Sequence, residues 1–130
     1  MPIRYQLDPV SKCVFATGEE PVTDSDLLKY QVDLSEDPLH GAGFDQLLDM
    51  RQVSGLHATA FGIREAGRLS HHFDEHLRGT RCAVVASSGV GFGLARMFTA
   101  CASDVMLLEV FQDMASARAW LGLDESPERT

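Results

Sequence analysis

Two stretches of this chain hold groups suited to binding or carrying an anion. The first is Ser87-Ser88-Gly89-Val90-Gly91-Phe92-Gly93. A glycine-rich loop between a strand and a helix can turn its backbone N–H groups onto a phosphate or carboxylate. The spacing is Gly-x-Gly-x-Gly, not the Gly-x-Gly-x-x-Gly of dinucleotide sites, and no lysine follows in P-loop position. Glu109 lies about 20 residues on, where a ribose-binding acid would stand, but the glycine spacing makes that match weak. A tight turn is the simpler reading, and a small phosphorylated or carboxylated ligand is the functional one. Arg51 and Arg96 are the cations that would serve it. The second stretch is Ser54-Gly55. A serine that opens a helix satisfies an orphan amide, worth about 1 kcal/mol. The same position at a positive helix end would suit a phosphate.

Metal and acid–base chemistry find less support. His72 and His76 in His71-His-Phe-Asp-Glu-His76 are four apart and share one helix side, as helical zinc ligands do. Phe73 stands where a metalloprotease would carry its glutamate, and no third ligand is apparent. A solvated face near a helix C-terminus accounts for the pair. Ser-x-x-Lys, Gly-x-Ser-x-Gly and paired Cys–His arrangements are all missing. The cysteines Cys13, Cys82 and Cys101 are odd in number and form no Cys-x-x-Cys, so neither a disulfide framework nor a thiolate zinc site is expected. Cys13 and Cys82 sit in apolar runs and read as small buried hydrophobes. No enzyme chemistry, no metal and no cofactor are expected.

These residues must be positioned by one domain, since the chain has 130 residues. Its hydrophobic fraction of 45% and charged fraction of 23% are ordinary for a globular fold. The net charge of −8 repels nucleic-acid backbones and anionic membrane surfaces. Neither a signal peptide nor an apolar run long enough to span a bilayer is present, so a soluble cytoplasmic protein without membrane insertion is expected.

The elements follow from periodicity. Ile3, Tyr5 and Leu7 alternate with polar residues as a half-buried strand. Asp8-Pro9-Val10-Ser11 has the pattern of a type I turn, and Cys13–Thr17 is the second strand of a hairpin. Thr23-x-x-Asp26 reads as a capping box opening the first helix, with Leu27, Leu28, Gln31 and Leu34 apolar or inward. A third strand lies within Phe44–Met50. The longest helix is expected from about Leu56 to Leu77, with Ile63, Ala66, Phe73 and Leu77 on one stripe and Leu69 at its margin. Arg81–Ala86 is a strand buried on both faces. Leu94–Ala100 is a short helix, and Val105–Val110 is the fifth strand. Asp113 caps a last helix that buries Met114, Ala117, Trp120 and Leu121. Trp120 is its anchor, and its removal would cost about 3–5 kcal/mol if it were fully buried. The fold class is therefore α/β. Its order is β-β-α-β-α-β-α-β-α, with one five-stranded mixed sheet in which strands two to five are parallel. Residues 1–122 form the domain, and 123–130 form a polar tail.

Four features in order carry a family resemblance. They are the Asp-Pro hairpin closed by Gly18, and Pro21-Val-Thr23 ahead of helix one. Leu47-Leu48-Asp49-Met50-Arg51 before Ser54-Gly55 is the third. Val110-Phe111-Gln-Asp113 leading to Ala119-Trp120-Leu121 is the fourth. From about Ile3 to Gly122 the chain resembles the SpoIIAA-like family, relatives of the STAS domains of anti-sigma factor antagonists and also likened to CRAL-TRIO lipid-binding domains. The resemblance implies a right-handed β-α superhelix with mostly sequential strands, and a regulatory or interaction role without established enzyme chemistry. It also implies that Ser54 matches a serine phosphorylated by a partner kinase in an Asp-Ser-Ser/Thr-Gly motif. Here Gln52 replaces the acidic residue and Val53 the first serine. The expected partners are a protein or a second copy of the chain. A small molecule or lipid, held near Phe61, Phe92, Met97 and Phe98, is the alternative.

Overall fold

Alternation of apolar and polar residues makes Ile3–Asp8 a strand with one inward face, and this strand, β1, opens the sheet. The computed structural model describes residues 3–19, 22–40, 43–52, 56–57, 62, 64–65, 68, 78–86 and 106–123. β1 pairs antiparallel with β2 (Cys13–Gly18), from Ile3 opposite Gly18 to Asp8 opposite Cys13. Asp8 closes the turn between them. Its carboxylate accepts from the Val10 N–H at 3.1 Å and the Ser11 hydroxyl at 2.9 Å, and Lys12 takes a left-handed φ of 55°.

β3 (Val22–Thr23) leads into α1 (Asp24–Glu36). The expected capping box is present. The Thr23 hydroxyl accepts from the Asp26 N–H at 3.2 Å, and the Asp26 carboxylate accepts from the Thr23 N–H at 2.9 Å. The residues α1 buries are Tyr30 and Leu34, with Leu27 partly covered. The third strand of the main sheet, β4, is Asp45–Asp49. β6 (Arg81–Val85) is buried from Cys82 onward, as an apolar run flanked by two strands should be. β7 (Leu107–Phe111) begins two residues later than its periodicity suggests. The C-terminal helix α2 (Met114–Leu121) starts at Asp113, whose carboxylate accepts the Ser116 N–H at 2.7 Å, and ends at Gly122 with φ 75°.

One expectation is overturned at its start. Leu56–His57 is not the beginning of a helix but a short strand, β5, which pairs parallel with β3: Val22 opposite Leu56 and Thr23 opposite His57. Helical structure is found at Gly62, Arg64, Glu65 and Arg68. The pairing between segments far apart in sequence overrides the local helical periodicity. Such hydrogen bonds leave no local signal. The remainder of that expected helix, with His72 and His76, lies outside the described residues, as do the expected short helix Leu94–Ala100, Cys101 and the polar tail beyond Leu123.

The main sheet has the order β1-β2-β4-β6-β7, with β2, β4, β6 and β7 parallel. Strand neighbours are sequential, as expected. Ile3, Val14 and Ala16 face α1 and pack on Tyr30, Leu34, Val22 and Phe44. Cys82, Val84, Leu108 and Met106 form a separate apolar cluster, and Leu48 and Met50 touch both. The opposite face sets Cys13, Leu47, Ala83 and Val85 against Ala117 and Leu121 of α2.

Arg81 ties α2 to this face. Its backbone N–H donates to Asp45 at 2.9 Å, and its side chain reaches the same carboxylate at 3.3 Å. The guanidinium also donates to the carbonyls of Trp120 at 2.7 Å and Leu121 at 3.1 Å, and lies 5.7 Å from the Trp120 ring. These carbonyls are in the last turn of α2, where a helix lacks internal donors and carries partial negative charge. Trp120 is only half-buried, beside Phe111 at 5.7 Å, so it is not the fully buried anchor its type suggests. Ala117 and Leu121 fill the core instead. Arg81→Ala is expected to lower unfolding free energy by about 1–2 kcal/mol, since it strips partners from two helix carbonyls and Asp45. Urea denaturation followed by Trp120 fluorescence measures this, and an unchanged midpoint contradicts the clamp.

Candidate functional site

Parallel pairing brings four chain exits into one row. Thr17, Asp49, Val85 and Phe111 stand side by side across β2, β4, β6 and β7. The ladder continues one step past the strand ends. The Met50 N–H donates to the Val85 carbonyl at 2.9 Å and the Ala86 N–H to that of Phe111 at 3.0 Å. The chain toward Ser54 and Gly55 thus departs from Met50, and the chain toward Ser87, Ser88, Gly89, Gly91 and Gly93 departs from Ala86, on adjacent strands. These seven candidate residues themselves lie outside the described residues. The structure defines where their segments attach, and Asp113 at the next strand end is described in full.

The polar groups at this edge are engaged with each other. Arg51 makes a two-pronged contact with Asp49: Nε to Oδ1 at 2.9 Å and Nη2 to Oδ2 at 2.9 Å. The Arg51 backbone N–H adds a third bond to Oδ1 at 3.1 Å. Burial pushes the Asp49 carboxyl up, but the side-chain and backbone hydrogen bonds from Arg51 outweigh it and hold the group below the usual carboxylate range. The hydrogen bond from Asp49 in turn keeps Arg51 firmly protonated. The sequence singles out Arg51 as a cation for an incoming anion. The structure shows its charge already matched, so an anion binding here must compete with Asp49. Asp113 is likewise held low by the Ser116 backbone and hydroxyl.

A buried polar chain lies inside the sheet. Gln46, the second residue of β4, is 5% exposed, accepts from the Tyr30 hydroxyl at 2.9 Å and points its amide at the Met106 sulfur at 3.9 Å. A glutamine inside an apolar strand was the only signal for it in the sequence. Burial pushes the Tyr30 hydroxyl well up, the Cys13 thiol up to about 12, and the Cys82 thiol higher still. All three remain protonated near neutral pH, so neither thiol is a ready nucleophile. Cys13 and Cys82 are free and buried, as their apolar surroundings indicate. Among the described residues no three His, Cys, Asp or Glu side chains gather as a metal site, and no helix is long and apolar enough to cross a membrane.

An N-terminal antiparallel hairpin, parallel strands added in sequential order and helices on both faces define a SpoIIAA-like α/β fold. Comparison with solved structures agrees. An uncharacterized protein of the DUF3478 family from Shewanella loihica, described as having a SpoIIAA-like fold, superposes with a TM-score of 0.58. The two are 14% identical, and the match covers 92% of this chain and 93% of that one. No protein-family profile matches the chain, and no curated protein matches it.

The Asp49–Arg51 pair has a pH signature. The folded-state pKa of Asp49 lies below its unfolded value of about 3.9, so the pair's contribution is complete above that value. It is lost as pH falls through the lower, folded value. Asp49→Asn is therefore expected to be less stable than the native chain near neutral pH, with the gap closing in acid. Parallel urea titrations across that range measure it, and a gap independent of pH would refute the assignment.

Proposed function

We propose that this protein is a non-enzymatic regulatory or protein-interaction domain of STAS-like type, working through the C-terminal edge of its parallel strands. The observation that carries this reading is the state of the described titratable groups at that edge and in the sheet's interior. Asp49 and Asp113 are held ionised by hydrogen bonds, and Cys13, Cys82 and Tyr30 are held protonated by burial. Each shift moves the group away from the poise near neutral pH that acid–base or nucleophilic catalysis requires. Regulation by charge fits the same edge. Ser54 follows Arg51 by three positions, and a phosphate there would set two negative charges against the single carboxylate that now holds Arg51. Intact-mass analysis of the chain recovered from its host is expected to show one phosphate, lost in Ser54→Ala. Absence of modification, together with no protein captured by the tagged chain, defeats this reading.

The alternative is a small-ligand or lipid-binding module. It rests on the glycine loop and on Phe61, Phe92, Met97 and Phe98, all of them outside the described residues. Native mass spectrometry of gently purified protein discriminates the two: a bound small molecule favours the module, and a bare chain counts against it.

A further inference from the structure

The sheet ends in two edge strands, and they differ in a way that matters for self-association. An edge strand offers a row of unpaired N–H and C=O groups, and monomeric proteins blunt it with proline, lysine, bulges or short length. β1 has no proline, lysine or bulge within it; its charges, Arg4 and Asp8, are of opposite sign. It is six residues long and pairs without a bulge along its whole length with β2. Among the described residues no strand lies on its outer side.

We propose that β1 pairs antiparallel with β1 of a second copy, giving a two-fold dimer with one continuous ten-stranded sheet. The sequence of β1 is complementary to itself when read backwards. With Gln6 opposite the partner's Gln6, Arg4 stands opposite the partner's Asp8, and Tyr5 opposite the partner's Leu7. Opposite charges and aromatic–aliphatic pairs directly across a sheet are both favourable. A two-fold axis repeats each pair, so two ion pairs and two apolar pairs form. The exposure pattern agrees. Arg4 and Gln6 are exposed on one face, while Tyr5 and Leu7 are half-buried on the other, where a neighbouring strand would cover them further.

Existing contacts leave the register open. Arg4 meets Glu19 at 2.6 Å, with side-chain exposures of 62% and 44%, so its guanidinium keeps donors facing water. The Asp8 carboxylate receives one bond on each oxygen and retains further lone pairs. The other edge fails the same test. Self-pairing of β7 about its centre places exposed Glu109 opposite the partner's Glu109, a like-charge contact. Charge thus selects β1 over β7. A single strand pair is a small interface and opposes a net charge of −8 per copy, so the dimer is concentration-dependent.

Analytical ultracentrifugation over a concentration series tests this. The native chain is expected to pass from monomer to dimer. Arg4→Glu puts acid opposite acid, Asp8→Lys puts base opposite base, and each alone is expected to lose the dimer. Mixed in equal amounts they become complementary, and the dimer mass is expected to return. A native chain that stays monomeric overturns the proposal, as does a dimer that survives either single change. So does a mixture of two folded variants that stays monomeric. Because Asp8 also holds the hairpin turn, a second variant avoids it. Gln6→Cys, on the two-fold axis, is expected to form a disulfide-linked dimer under mild oxidation, while Arg4→Cys and the native chain do not. Cross-linking through Arg4→Cys but not Gln6→Cys overturns the register.

Discussion

The guanidinium of Arg81 is the contact on which the layered arrangement depends. It joins Asp45 on β4, its own strand β6 and the last turn of α2. Apolar burial supplies most of the stabilisation, since Ala117 and Leu121 cover Cys13, Leu47, Ala83 and Val85. Burial is non-directional, however, and would tolerate a helix sliding along the sheet. Hydrogen bonds to two named carbonyls do not tolerate that slide. The contact also completes the helix end electrostatically, because a cation there opposes the partial negative charge of the unpaired carbonyls.

With α2 held on one face and α1 on the other, the parallel strands end in a common row. That row gathers charged residues that the linear sequence keeps far apart. Asp49 is paired with the cation Arg51, whereas Asp113 keeps its negative charge and accepts hydrogen bonds from the amide and hydroxyl of Ser116. Among the described residues Arg51 is thus already paired at this edge, and an added anion would compete with Asp49 for it. Pairing also governs the interior. The Tyr30 hydroxyl of α1 donates to Gln46 of β4, which lets a polar pair sit between helix and sheet among apolar neighbours.

Much of this fold was legible in the sequence because its signals are local. Thr23 with Asp26, and Asp113 with Ser116, are caps whose two partners lie within one turn. The alternation of Ile3, Tyr5 and Leu7 and the apolar run after Arg81 likewise report burial without reference to the rest of the chain. The candidate site was legible only in part. Ser54 and the glycine loop stand out by residue type, yet the match between Arg51 and Asp49 does not. Nothing in a two-residue spacing distinguishes a side chain turned back on its neighbour from one reaching for a ligand.

The sequence by itself determined the strand sequence of the main sheet, both described helix caps and the burial of Cys13 and Cys82 in apolar strands. Each depends on periodicity, on residues a turn apart, or on an apolar run. Tertiary structure decided the β3–β5 pairing that makes Leu56–His57 a strand, the seating of α2 by Arg81, and the half-exposure of Trp120. These depend on which distant segments meet. Arg81 and Trp120 are 39 positions apart, and their contact exists only because parallel pairing sets β6 beneath α2. A backbone hydrogen bond or a helix-end cation is indifferent to sequence distance, so no local pattern announces it.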